Sequence, residues 1–337
     1  MKRGLVLLDN AEISEAEWQR RVDAARRELA SQGVDLALVY GDVFRSDDIA
    51  YLTNLCIYWN EGMLAIPATG ELALLTKLSP RVHTWMRRTS TLKDLRSGKA
   101  FAALVAELLG ERPTGTLGLV DADLWPSALI DEVTEAAPGW TVRRLGGLIR
   151  EQRRRPSPEQ VELLRRAGAA LARAARDATA KGLSDRDRVA TAEHAVRSAG
   201  FTDVLVRADA RSVELTGQFR GSWLRVGRDV SGAISGALAR AVGMAAAGVT
   251  TEALRDAASA GMGELSAGAD LTVRVVDHAD LSTDGEYAGP NGALLDGSAV
   301  VIGVRLDTPE GRLSASDSVL VGRAGAELLT SGRDAAS

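Results

Sequence analysis

With 337 residues, 45% of them hydrophobic, the chain is long enough to bury two cores, and a formal net charge of −4 argues against nucleic acid as a partner. A single cysteine, Cys56, excludes an intramolecular disulfide and suits a reducing, cytoplasmic setting. No run approaches the roughly 18 apolar residues of a membrane span, and the first apolar run is too short for a signal peptide, so neither membrane nor export is expected.

The first helix is announced by Ser14 and Glu17, a capping box, and is expected to run to about Ser31 with Gly33 ending it. Residues 35–41 (DLALVYG) read as a buried strand. LAIPA and ELALLT, split by Thr69-Gly70, read as a hairpin. A helix over 99–109, a strand at 117–120 and a helix over 126–136 continue the alternation, which predicts an α/β domain over residues 1–150. Residues 151–157 (EQRRRPS) read as a charged linker, after which Ser157 and Pro158 open a second domain, 158–337, as N-cap and first helical residue.

That second domain opens with an amphipathic helix carrying Val161, Leu164, Gly168, Leu171 and Ala175 on one stripe, then a helix over 184–199. A hairpin is expected over 213–228, helices over about 231–247 and 250–263, and two antiparallel strands at 297–307 and 311–321. In the first of those strands Val300, Ile302 and Val304 alternate with Val301, Gly303 and Arg305.

Several stretches, in this order, resemble the creatinase, prolidase and aminopeptidase P family. DDIAYLTN (47–54) is similar to its "NIxYLTG", and RRRPSPEQVELLRRA (153–167) to its inter-domain entry. DHADLSTDGE (277–286) is similar to "GHGIGLxxHE", and the C-terminal strands to the run holding its last two glutamates. The resemblance implies an α/β N-terminal creatinase-like domain. Its second domain would be an α+β pita-bread domain, a curved mixed or antiparallel sheet covered by helices.

In the peptidases of that family two aspartates, a histidine and two glutamates hold two metals. Matched to "DxGxxxxGYxSDxTRT", the hairpin places Ser222 at the second aspartate and Arg225 at the family's arginine, with the first aspartate near Arg211 or Glu214. Gly303 and Ser316 stand at the two glutamates, and His278 alone keeps a ligand position. The resemblance thus implies a divergent member without metal or other cofactor. His278 and Glu286 are the catalytic candidates; for His278 an acid–base role and a hydrogen-bonded core role both stay open. Arg220, Ser222, Trp223, Arg225, Arg305, Ser316 and Asp317 are the substrate-binding candidates. Arginines where carboxylates stood favour an anionic, carboxylate-bearing small molecule.

The function expected is metal-independent chemistry on a small amino-acid-like or carboxylate-bearing substrate, such as C–N bond hydrolysis with His278 as acid–base. A catalytically silent pseudo-peptidase that binds a ligand or partner is the alternative, and an Xaa-Pro-type metallopeptidase with a rearranged site the third reading. By the same resemblance the chain is expected to be a homodimer, with His83 and Trp59 of the first domain within reach of a partner's site.

Overall fold

A computed structural model describes residues 7–57, 60–262, 270–281, 292–309 and 311–331. The chain divides into two compact units, Met1–Arg153 and Arg154–Ser337.

The first unit runs α1 (Glu15–Ser31), β1 (Leu36–Asp42), α2 (Asp47–Thr53), β2 (Glu61–Pro67), β3 (Ala73–Thr76), α3 (His83–Thr89) and β4 (Asp94–Ser97). It continues through α4 (Phe101–Gly110), β5 (Thr116–Val120), α5 (Ser127–Glu135), β6 (Thr141–Leu145) and α6 (Leu148–Arg153). Ser14 caps α1 as its position predicts, its hydroxyl accepting from the Glu17 amide at 3.1 Å. The strands form one mixed sheet ordered β4-β3-β2-β1-β5-β6, with β1 antiparallel to β2 and parallel to β5. Both faces are buried. Ala37 and Val39 of β1 join a core with Ala25, Leu29 and Ile49, while Leu36 and Leu38 join a second with Phe101, Leu104 and Leu129. A strand buried on both sides has no polar alternation, which is why 35–41 reads as a continuous apolar run. The span expected to be a linker, 151–157, is helical as far as Arg153: Ile149 is fully buried and Arg153 pairs with Asp48 at 2.8 Å.

The second unit opens with α7 (Pro158–Ala178) and α8 (Asp185–Ser198), followed by β7 (Asp203–Ala208), β8 (Ser212–Phe219) and β9 (Ser222–Asp229). Then come α9 (Ser235–Met244), α10 (Thr251–Ala260), β10 (Asp270–Asp277), β11 (Ala299–Thr308), β12 (Gly311–Val321) and β13 (Ala326–Leu328). The sheet is ordered β10-β11-β12-β9-β8-β7, with β13 added to β12, and its strand pairs are antiparallel. Here the two faces differ. Val273, Val275, Val300, Ile302, Val304, Leu313, Ala315 and Val319 pack with Ala237, Leu238, Leu254 and Ala258 of α9 and α10. Gln160 of α7 reaches the same side of β9, where its amide donates to the Ser222 hydroxyl at 2.9 Å. Residues one position out of phase with these point to the opposite face.

Candidate functional site

That opposite face carries a cleft of about 90 Å³ whose lining includes Arg207, Glu214, Arg225, Arg274, Gly303, Arg305, Ser314 and Ser316. Strand register explains how residues so far apart in sequence meet. Arg207 pairs with Glu214, Glu214 with Gly227, Gly227 with Ser316, Ser316 with Gly303, and Gly303 with Arg274. One row of side chains therefore crosses six strands, with three small residues in its middle. Strands lie about 4.8 Å apart, so the floor from Gly227 to Gly303 is roughly 10 Å wide.

The floor is close-packed at one edge and open at the other. A Cβ on Gly227 would stand 2.8 Å from the Ser316 hydroxyl oxygen and 3.0 Å from its amide nitrogen, so only glycine lets β9 and β12 approach there. A Cβ on Gly303 would find its nearest neighbour at 3.7 Å, an ordinary contact.

Charge defines the walls. Arg225 is 8% exposed; its Nε donates to the Thr216 hydroxyl at 2.9 Å and lies 4.0 Å from the Glu214 carboxylate. Arg207 donates to the same carboxylate at 3.2 Å. Arg305 is exposed at the rim, opposite Ser314 on one side and Thr272 on the other. Among the described residues, the charged ones lining the cleft are Arg207, Arg225, Arg274, Arg305 and Glu214.

Of the substrate-binding candidates, Arg225, Arg305 and Ser316 meet in this cleft, together with Gly303 and Glu214; Arg220, Ser222, Trp223, His278 and Asp317 are not among its lining residues. Ser222 faces the helices, as its bond to Gln160 shows. Asp317 also faces them: it pairs with Arg228 at 2.8 Å and accepts from the Thr330 hydroxyl at 2.7 Å. Burial raises the Asp317 carboxyl above the usual carboxylate range against the opposing pull of Arg228. Arg220 occupies the β8–β9 turn with φ 49° beside Gly221 at φ 80°, the paired left-handed conformation of a two-residue hairpin. Trp223 is on the cleft side of β9 but is buried with Val276, Leu281 and Val301, walling off one end.

His278 lies in a short 3-10 turn just past β10. Asp277 caps that turn by accepting from the Ala279 amide at 2.9 Å, while its other oxygen lies 2.6 Å from Nε of Arg154. The imidazole is 4% exposed, with Nδ1 at 3.4 Å from the Trp223 carbonyl oxygen, behind the wall. Glu286 and Trp59 lie outside the described residues. His83 is held within the first unit, its Nε2 2.7 Å from the Ser97 hydroxyl.

The turn at Arg220 and Gly221 fixes the pairing of β8 with β9, so that Glu214 and Arg225 stand on the cleft face while Ser222 stands on the other. Arg207, Glu214 and Arg274 are the lining charges that the sequence reading passed over or left open. Only cross-strand pairing brings them to one place.

A pair of divalent metals does not fit this set. Such a cage needs several hard oxygen ligands, and among the described residues no three His, Cys, Asp or Glu side chains gather. Glu214, the carboxylate in the cleft among the described residues, already faces the guanidinium groups of Arg207 and Arg225.

Comparison with known proteins agrees with the architecture. Residues 21–155 match the Creatinase/Prolidase N-terminal domain family. The fold is similar to an Xaa-Pro dipeptidase from Bacillus anthracis (TM-score 0.73, 16% identity, covering 93% of this chain and 98% of that one). It is also similar to an X-Pro aminopeptidase from Thermotoga maritima MSB8 (TM-score 0.75, 14% identity, 92% and 97%). A third is the dipeptidase PepE from Mycobacterium ulcerans (TM-score 0.66, 19% identity, 96% and 97%). No curated protein matches the chain.

Proposed function

We propose, for a chain whose residues 21–155 match the Creatinase/Prolidase N-terminal domain and whose fold is of the two-domain pita-bread type, that the cleft binds a small anionic molecule and does so without metal. The observation that carries this reading is that four arginines, Arg207, Arg225, Arg274 and Arg305, line one cleft among the described residues. Guanidinium groups pair with carboxylates in bidentate, charge-assisted fashion, which gives both affinity and orientation. The solved relatives are named as an Xaa-Pro dipeptidase, an X-Pro aminopeptidase and a dipeptidase, which supports a hydrolase-type origin of the scaffold. An amino-acid-like carboxylate is a substrate class consistent with that origin.

The geometry favours binding over catalysis. Proton transfer needs the acid or base within about 3 Å of the reacting group, directly or through one water. His278 instead sits behind Trp223, 4% exposed, and the cleft lining contains no histidine. The catalytically silent, ligand-binding reading is therefore preferred to an acid–base role for His278. Two further expectations complete the proposal: a cytoplasmic protein, and a homodimer that sedimentation velocity at micromolar concentration would reveal.

The test joins elemental analysis to calorimetric titration of the purified chain with small carboxylates. Substoichiometric metal and saturable carboxylate binding are expected. Two tightly held metals per chain would replace this reading with a metallopeptidase.

A further inference from the structure

Strand register arranges the part of the cleft around Gly303 as three rows of side chains, and the rows differ in chemistry. Thr272 of β10, Arg305 of β11 and Ser314 of β12 are partners in the first row, and each can donate a hydrogen bond. Arg274, Gly303 and Ser316 form the second, with no side chain at its centre. Val276 and Val301 pair in the third and also line the cleft. Residues two apart in a strand share a face and stand about 6.7 Å apart, so the rows follow one another along the cleft.

The first row suits an oxyanion. Arg305 is exposed, and Asp307, the carboxylate two residues further along β11, is engaged by Arg312 at 2.7 Å. A guanidinium flanked by two hydroxyls offers donors to both oxygens of a carboxylate.

The second row leaves a passage. A Cβ on Gly303 would find its nearest neighbour at 3.7 Å, so a chain of atoms can lie over it. Beside it Ser316 is 3% exposed, and its hydroxyl oxygen has no hydrogen-bond partner among the described residues. A buried hydroxyl without a partner costs free energy, which a ligand oxygen brought to this floor would offset.

The third row is apolar where it lines the cleft. Val276 and Val301, each 2% exposed, cluster with Trp223 and Leu281 and close this end. Ser318 stands next to Val301 on β12, but its hydroxyl already donates to the Arg225 carbonyl at 2.8 Å and accepts from the Arg225 amide at 2.9 Å. A charged group set against the valines would lose water without a replacement, whereas methylene groups gain by burial there.

Resting on the reading that the cleft binds an anion, we propose that its ligand is a short-chain aliphatic carboxylate held in one orientation. The carboxylate lies at Arg305 and its flanking hydroxyls, the chain passes over Gly303, and the apolar end meets Val276 and Val301.

The experiment is calorimetric titration of the full chain with acetate, butyrate, hexanoate, adipate and inorganic phosphate. Affinity is expected to rise from acetate to hexanoate by at least tenfold, about the gain from two buried methylenes. Adipate, with a second carboxylate at the far end of the same six-carbon chain, is expected to bind at least tenfold more weakly than hexanoate. Arg305→Ala is expected to weaken acetate and hexanoate by a similar factor, roughly tenfold or more, and Val301→Thr to weaken hexanoate alone. Hexanoate no tighter than acetate, adipate as tight as hexanoate, or phosphate as the only probe bound would each overturn the inference while leaving the anion-binding cleft in place. Unchanged hexanoate affinity in Arg305→Ala, which removes only an exposed side chain, would place the ligand elsewhere and overturn the orientation. No binding of any probe, phosphate included, would overturn both readings.

Discussion

The two faces of the second sheet come from the same strands, and strand alternation makes them different. On the helix side Ser222 accepts from Gln160, and Asp317 pairs with Arg228 and accepts from Thr330, among apolar side chains that pack on the helices. On the cleft side arginines, Glu214 and two serines line a floor of small residues, and the Ser316 hydroxyl has no partner among the described residues. Paired polar groups within an apolar face support the fold, whereas a polar face around a small-residue floor suits the ligand-binding reading.

The sharpest way to break this comparison is to remove one partner on the helix side. Arg228→Ala leaves the Asp317 carboxyl buried beside Thr330 alone. It should cost about 2–3 kcal/mol in urea unfolding, less than a fully enclosed pair because Arg228 is partly exposed. An unchanged midpoint would show that this pair does not stabilise the fold. The matching change on the cleft side, Arg305→Ala, should leave stability within about 0.5 kcal/mol, since the side chain is exposed. Its effect should fall on anion affinity instead, a loss of about 1.5–3 kcal/mol by calorimetry. Lost stability with intact affinity would reverse the assignment.

The floor can be probed with two alanines. Gly227→Ala drives a methyl group into Ser316 at 2.8 Å and should cost about 1–3 kcal/mol in thermal or chemical unfolding. Gly303→Ala meets only ordinary contacts, so it should unfold like the parent while weakening any ligand that lies across the floor. The smallest expected effect is a pH dependence. The folded Asp317 carboxyl is raised above its ordinary 3.8, so between that value and its folded one the native state holds more protons than the unfolded state. Its contribution to stability is therefore present below about 3.8 and declines as pH rises through the folded value. Asp317→Asn should flatten this part of the stability–pH curve, and an unchanged slope would show that Asp317 is not its source.

Much of the architecture is local and could be read along the chain. Ser14 and Ser157 begin helices because a side-chain oxygen can take up an unpaired amide, and both do so where their sequence positions predict. The apolar run of β1 and the alternation of Val300, Ile302 and Val304 declare one strand buried on both faces and one buried on a single face.

The site needed the tertiary structure, because a cleft on a sheet is assembled by register, which nearest-neighbour chemistry does not specify. Ser222 and Arg225 are three residues apart on β9, and in a strand an odd separation puts two side chains on opposite faces. The tight turn at Arg220 and Gly221 decides that register, by demanding two successive left-handed residues where the sequence offers only one glycine. His278 sits one residue beyond the end of β10, so alternation no longer governs where its ring points. Arg207 and Arg274 belong to the two outermost strands of the sheet, and only its full width brings them to the same cleft.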